Sequence, residues 1–179
     1  YLYLYCLNMY FEKVNQKNYQ YTYASWIKKI SLKYPKLNIL IKHHESRWTK
    51  KFEKENHKEI DFFKNTNVRV IFKTQSKNMS YSYLAKSKVA VSFGSTMILE
   101  SLTLGKPSFY LDPNNELTNF HKGLNNLKNI KISRYSDFEK KIENIIFKKK
   151  KMKIKNSSSY CLKSDAVSGR IFKHLKKFN

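Results

Sequence analysis

The sequence is poor in cysteine, proline, glycine and acidic residues. It holds two cysteines, three prolines and four glycines among 179 residues. Cys6 and Cys161 lie far apart, which indicates neither a disulfide framework nor a metal site with paired-cysteine spacing, and a reducing cytoplasm is expected. The scarcity of proline and glycine excludes collagen-like and linker-rich chains. With 41% hydrophobic and 15% aromatic residues, the composition predicts a folded domain with its own core.

Long apolar runs are also missing. The opening run, Tyr1 to Phe11, is apolar and aromatic but far too short to span a bilayer. It lacks the basic start and the cleavage site of a signal peptide, so it predicts a buried strand. Because the chain opens in this strand without a methionine, we expect residues 1–179 to be a single domain from a longer protein whose N-terminal half is missing.

Acidic residues number 13 against 36 Lys and Arg, which gives a formal net charge of +23. A clustered basic surface would indicate a nucleic-acid binder. Here the lysines are scattered over every segment, and Lys, Asn, Ile, Tyr and Phe all have AT-rich codons. This favours a coding bias, and no specific nucleic-acid partner is expected. The charge still raises the local concentration of anions, including nucleotide phosphates and acidic lipids.

Strand-like and helix-like stretches alternate along the chain. The predicted strands are Tyr1–Leu7, Leu37–Lys42, Val68–Phe72, Val89–Phe93, Pro107–Leu111 and Ile130–Ile132. The predicted helices are Thr22–Tyr34, Ser46–Phe63, Ser80–Ala85, Ser95–Leu104, Ser136–Phe147 with Ser136 as its cap, and Asp165–Phe178. This order predicts a Rossmann-like α/β fold, a sheet of about six parallel strands with helices on both faces. Ligands bind such sheets beyond the carboxyl ends of the strands.

The segment Val89 to Pro113, VAVSFGSTMILESLTLGKPSFYLDP, is the richest in chemistry. Its strand runs into Gly94, Ser95 and Thr96, where a helix is predicted to start. Glycine lets a ligand approach the backbone closely, and N–H groups and hydroxyls at a helix start attract an anion. Glu100, about one turn further on, could accept hydrogen bonds from ribose hydroxyls. The alternative is an ordinary capped helix with a surface glutamate.

This arrangement resembles the donor-binding segment of GT-B-type glycosyltransferases. Bacterial capsule and lipopolysaccharide enzymes of the Kdo-transferase, polysialyltransferase and CDP-glycerol-transferase kind carry it, with a Gly-Lys-Pro turn that Gly105, Lys106 and Pro107 match. The resemblance, which covers roughly Leu37 to Asp112, implies one half of a GT-B fold. It also implies a nucleotide-sugar site at Ser95, Thr96 and Glu100. The donor would be a CMP-, CDP- or UDP-linked substrate, with no separate cofactor.

A second match lies in Leu40 to Glu45, LIKHHE, where those families show a strand ending in Lys-x-His-Pro. His43 matches the histidine that contacts the donor phosphate, while His44 replaces the usual proline. A lysine and a histidine at the carboxyl end of a strand can meet a phosphate. Two solvated loop histidines are the alternative.

The resemblance implies transfer of a sugar or polyol-phosphate unit to a surface glycan or lipid-linked acceptor. Lys42, His43, Ser95, Thr96 and the helix N-terminus would stabilise charge on the departing phosphate. With those groups in place no divalent metal is needed. The general base is expected on the missing half, so these residues alone should not turn over.

Two other functions are compatible with parts of the sequence. A nucleotide-sugar 2-epimerase would keep the fold, but similar epimerases carry a pair of carboxylates where this chain has Leu99 and Glu100. A basic RNA-binding module would use the net charge, although no aromatic-rich RNA motif is present. For the tract from Lys148 to Lys153 a solvated face competes with contact to anionic lipid at the inner membrane, and for Asp112 a turn is favoured over donor contact.

Overall fold

The computed structural model describes residues 3–8, 16–43, 53–71, 79–93, 95, 97–113 and 130–148. In this part of the chain the strands are β1 (Tyr3–Asn8), β2 (Asn38–His43), β3 (Val68–Ile71), β4 (Val89–Phe93), β5 (Ser108–Leu111) and β6 (Lys131–Ile132). They form one six-stranded sheet in the order β3-β2-β1-β4-β5-β6, with every neighbouring pair parallel. This is the Rossmann strand order, and the predicted fold class is confirmed.

Helices cover both faces of the sheet. They are α1 (Gln16–Lys33), α2 (Glu53–Phe62), α3 (Met79–Lys86), α4 (Met97–Thr103) and α5 (Tyr135–Ile142), the last followed by a π-helical turn at Glu143–Phe147. Right-handed crossovers place α1 and α2 on one face, and α3 and α4 on the other, because the strand order reverses after β3. We call these the α1 face and the α4 face.

Contacts between helices agree with this assignment. On the α1 face, the Lys28 amine of α1 donates to the Phe62 carbonyl at the end of α2 over 2.6 Å. Helix α5 joins the same face, where the ring of Trp26 lies 6.1 Å from that of Tyr135 and 6.3 Å from that of Phe138. The sheet is therefore buried on both sides, which explains why β2 reads as a continuous apolar run before Lys42.

Several boundaries differ from the sequence predictions. Helix α1 begins six residues before Thr22, because apolar periodicity marks only the part of a helix that packs on the core. Helix α5 begins at Tyr135, so Ser136 is not its cap. Arg134 holds the cap position without a side-chain cap bond, and its Nε pairs instead with Asp137 at 2.9 Å. The predicted single helix continues as a π turn, in which Phe147 stacks 4.6 Å from Tyr34.

Other predicted features fall on residues that the structure does not describe. They are Gly94, Thr96, most of the loop that follows His43, the basic tract after Lys148, and the closing helix Asp165–Phe178.

The Gly-Lys-Pro turn has a structural role at the end of α4. Gly105 adopts a φ of +72°, and two hydrogen bonds, from the Gly105 N–H to Leu102 and from the Lys106 N–H to Ser101, form a Schellman motif. The Lys106 amine then donates to the carbonyls of Ala85 and Ser87 over 2.7 and 2.9 Å. These carbonyls close α3, so Lys106 ties the end of α3 to the start of β5 and places a cation at the negative end of the α3 dipole.

Replacing Lys106 with methionine should destabilise the fold, because the aliphatic stem remains while two charge-assisted hydrogen bonds to α3 are lost. We expect the free energy of unfolding in urea to fall by about 2 kcal/mol. Lys140 is an exposed lysine on α5, so Lys140→Met is the matched control and should leave that free energy nearly unchanged. Equal stability of the two variants would contradict the role assigned to Lys106.

Candidate functional site

The carboxyl ends of three strands meet at one level on the sheet edge. Position 8 of β1 pairs with His43 of β2 on one side and with Phe93 of β4 on the other. From the ends of β1 and β4 the chain crosses to opposite faces, toward α1 and α4, which opens a crevice at this switch point. Adjacent strands lie about 4.8 Å apart, so the ends of β2 and β4, on either side of β1, are separated by about 10 Å.

One residue below this edge, a polar row crosses the sheet on the α4 face. Position 7 of β1 pairs with Lys42 and with Ser92, and Ser92 pairs with Tyr110 of β5. Paired residues of parallel strands project to the same face. Lys42 is 6% exposed, and its amine lies 3.4 Å from the His43 carbonyl, so the side chain reaches up toward the carboxyl edge. The row puts one cation and two hydroxyls beneath the crevice.

Ser95, the first described residue after β4, is held from several sides. Its N–H donates to the Ser92 hydroxyl over 3.0 Å, and its carbonyl accepts from the Tyr110 hydroxyl over 3.0 Å. Its own hydroxyl accepts from the Met97 N–H at 3.4 Å, which caps α4. A serine hydroxyl that accepts a hydrogen bond keeps its proton for donation, so Ser95 can serve as a cap and still donate to an anion.

Glu100 lies one turn into α4, on the side that faces α3 and β5. Burial, the charge of Glu100 and a hydrogen bond to its carboxylate raise the pKa of Tyr81 on α3 to about 12. Burial, followed by the charge of Glu100, also raises the pKa of Tyr110. Both phenols therefore stay protonated as donors at neutral pH. The Glu100 carboxylate is thus held among tyrosines at the rim of the polar row.

His43 belongs to the other face of the sheet, since it follows Lys42 in the strand and side chains alternate. Its side chain is fully buried, and Nε2 lies 2.8 Å from Oε2 of Glu59 on α2. A carboxylate at this distance orients the imidazole ring. The predicted site residues are therefore divided between the faces: His43 with Glu59, and Lys42 with Ser95 and Glu100.

Asp112, at the end of β5, has a structural role in the sheet. It is fully buried, its Oδ2 lies 3.2 Å from the Lys131 amine of β6, and its N–H donates to the Ile132 carbonyl over 2.7 Å. These two contacts connect the end of β5 to the neighbouring strand β6.

Sequence reasoning did not single out Glu59, Tyr81, Ser92 or Tyr110. Two of them carried a usable signal, because Ser92 and Tyr110 are polar residues inside buried strands, and a buried hydroxyl needs a hydrogen-bond partner. Glu59 and Tyr81 sit on helices and reach the site only through tertiary packing, which no local pattern reveals.

Several solved structures share this fold. A UDP-GlcNAc 2-epimerase from Neisseria meningitidis bound to UDP-GlcNAc aligns over 98% of this chain and 44% of its own, with a TM-score of 0.60 and 18% identity. An O-GlcNAc transferase mutant from Thermobaculum terrenum aligns over 98% and 31%, with a TM-score of 0.51 and 12% identity. An α,α-trehalose-phosphate synthase (UDP-forming) from Burkholderia vietnamiensis aligns over 98% and 40%, with a TM-score of 0.52 and 5% identity.

These similarities show a fold of the GT-B glycosyltransferase kind. This chain spans 31 to 44% of the length of the proteins compared with it. No protein-family model matches the sequence, and a comparison with curated proteins gives no match. Within the described residues, no helix is both long and apolar enough to cross a membrane, and no three His, Cys, Asp or Glu side chains are grouped so as to hold a metal ion. The roles assigned to the site residues, and a reaction without a metal, stay predictions.

The environment of Tyr81 gives a prediction about pH. Its pKa of about 12 in the folded state exceeds the ordinary value of 10.0, so the stability contributed by its protonated form is complete below pH 10 and is lost as pH rises through 12. In Glu100→Gln the carboxylate charge disappears, and the Tyr81 pKa should fall only part of the way toward 10.0, because burial, the largest cause of the shift, remains. The ¹³C resonance of the Tyr81 ring carbon that bears the hydroxyl reports this titration, with assignment by Tyr81→Phe.

Glu143→Gln is the matched control, because Glu143 lies on the α1 face and pairs with Lys148. Tyr81 should titrate there as in the unaltered protein. An identical Tyr81 titration in Glu100→Gln would show that the two side chains do not interact.

Proposed function

We propose that this chain is the donor-binding domain of a bacterial surface-carbohydrate glycosyltransferase, active in capsule or lipopolysaccharide biosynthesis. One observation carries the proposal. Hydrogen bonds hold Ser95 at the switch point of a GT-B-like sheet, with Lys42 beneath it and Glu100 beside it. Fold similarity to an enzyme bound to UDP-GlcNAc and to a UDP-forming synthase supports a nucleotide-activated donor. The donor would be CMP-, CDP- or UDP-linked.

The chemistry assigned to this domain is stabilisation of the leaving group. As the bond between the sugar and the phosphate oxygen breaks, negative charge grows on the phosphate. Donors already aimed at that position lower the barrier without having to reorganise. In this proposal Lys42 and the Ser95 hydroxyl approach from the α4 face, and His43, oriented by Glu59, approaches from the α1 face. Gly94 and Thr96, which lie outside the described residues, are assigned to the same site from the sequence alone.

Glu100 has a separate role in this proposal. Its carboxylate is an acceptor, and the ribose 2′- and 3′-hydroxyls are donors. The Tyr81 hydroxyl donates to it and holds it on the α4 side of the crevice, about one helical turn from Ser95. A nucleotide would then lie with its phosphate over the strand ends and its ribose toward α4.

The rest of the reaction is assigned to another domain of a longer protein. The solved structures of similar fold are more than twice as long as this chain. The general base and the glycan or lipid-linked acceptor would lie on that domain, across the crevice. We accordingly expect residues 1–179 to bind the donor and not to turn it over.

A nucleotide-sugar 2-epimerase is the second candidate, favoured by the similarity to the Neisseria enzyme, whose TM-score is 0.60. That reaction needs an acid and a base near the sugar. Leu99 stands where similar epimerases have one of two carboxylates, and it packs against the hydrophobic core. Formation of the 2-epimer from UDP-GlcNAc, followed by NMR with a full-length protein, would establish this candidate over glycosyl transfer.

A thermal-shift panel tests donor binding. The ligands are CMP, CDP, UMP, UDP and GDP, with a short RNA, each at two salt concentrations. A cytidine or uridine nucleotide at 100 times its Kd should stabilise the domain by about 2.7 kcal/mol. The shift should disappear in Ser95→Ala/Glu100→Gln and persist in Glu143→Gln.

Each variant needs its own ligand-free reference, because Ser95 caps α4 and its loss costs about 1 kcal/mol without any ligand. If only RNA shifts the melting temperature, and the shift vanishes at high salt, then the function depends on the net charge and donor binding is refuted. Equal shifts with every nucleotide in all variants would also refute the assigned site.

We further propose that the protein is cytoplasmic and binds the inner membrane peripherally through the lysines at 148–151 and 153. Each lysine near an anionic surface contributes about 1 kcal/mol, so five form an effective contact. Replacing all five with glutamine should abolish sedimentation with vesicles that contain phosphatidylglycerol. In the control variant five other lysines are replaced with glutamine, so that its net charge equals that of the first variant. The control should still sediment with the vesicles. Equal loss in both variants would mean that total charge, and not this tract, binds the lipid.

A further inference from the structure

Two hydroxyls lie buried in the sheet directly beneath the segment that follows β4. Ser92 is fully buried and Tyr110 is 2% exposed, each among apolar strand neighbours. A hydroxyl taken out of water is costly unless it forms a hydrogen bond. Valine and phenylalanine would pack at these positions without that requirement, so the hydroxyls call for an explanation beyond core packing.

Both hydroxyls form hydrogen bonds with the main chain of one residue. Ser92 accepts from the Ser95 N–H, and Tyr110 donates to the Ser95 carbonyl, each over 3.0 Å. Since Ser92 and Tyr110 are register partners on adjacent strands, the two anchoring points move together with the sheet. The Ile98 N–H adds a third bond to the same carbonyl, at 3.2 Å. Both the N–H and the carbonyl of Ser95 are thereby held by hydrogen bonds.

We propose that Tyr110 and Ser92 are positioning residues that hold Ser95 ready for a nucleotide phosphate, an inference that rests on the proposed function. Neither touches the ligand; they act through Ser95. A segment fixed before binding loses little conformational entropy when the ligand arrives, and this raises affinity for the group that the segment contacts. The phosphate should gain from this, and the nucleoside should not.

Tyr110→Phe removes one hydroxyl and keeps the ring. We expect the Kd for UDP, and for CMP in a parallel titration of the 179-residue chain, to rise about tenfold, the effect of one buried hydrogen bond. The Kd values of uridine and cytidine, measured by NMR, should not change. Hydrogen exchange of the Ser95 amide should accelerate even without ligand. Ser92→Ala should give the same pattern, and it serves if Tyr110→Phe does not fold.

Tyr135→Phe is the matched control. It too removes a tyrosine hydroxyl with a partner, the Glu139 carboxylate at 3.1 Å, but on the α1 face. It should lower the melting temperature and leave every Kd unchanged. If Tyr110→Phe behaves like this control, Tyr110 only stabilises the core and the inference fails. Equal losses for UDP and uridine would also overturn it. If the unaltered chain binds no nucleotide, the proposed function fails and this inference fails with it.

Discussion

The parallel register of β1 with β2 on one side and β4 on the other is the constraint on which the candidate site depends. It brings the ends of three strands to one level, and it aligns Lys42, Ser92 and Tyr110 in a row one residue lower. A shift of one residue in β4 would turn Ser92 to the opposite face and leave Ser95 without its anchor.

The sequence predicted most of the fold, because the signals for it are local. Six short apolar runs separated by helical periodicity are enough to predict a parallel sheet, and each predicted strand within the described residues is present. Helix ends were less predictable. Residues 16–21, at the beginning of α1, show little apolar periodicity in the sequence. In the π turn after α5, Phe147 contacts Tyr34, which belongs to a segment more than a hundred residues away.

The candidate site was predictable only in outline. A pattern could identify Gly94, Ser95, Thr96 and Glu100 together, because they are close in sequence. Of these, Ser95 and Glu100 do lie at the carboxyl edge. The residues that support them come from other elements: Tyr81 from α3, Tyr110 from β5, and Glu59, beside His43, from α2. Their contacts follow from strand order and register, which emerge only when the sheet assembles. Physical chemistry gives the need for a partner at a buried hydroxyl, but not the identity of that partner.

The contacts of Lys106 determine what the Gly-Lys-Pro motif indicates about shared ancestry and about shared activity. Gly105 ends a helix, and the Lys106 amine closes a different one, so both residues serve the architecture of the α4 face. A protein that lost all affinity for nucleotides would still gain stability from them. The Gly-Lys-Pro triplet is therefore a marker of shared folding topology. Among distant proteins, catalytic kinship has to be judged from the crevice side of the sheet, where a change can alter binding without unravelling the domain.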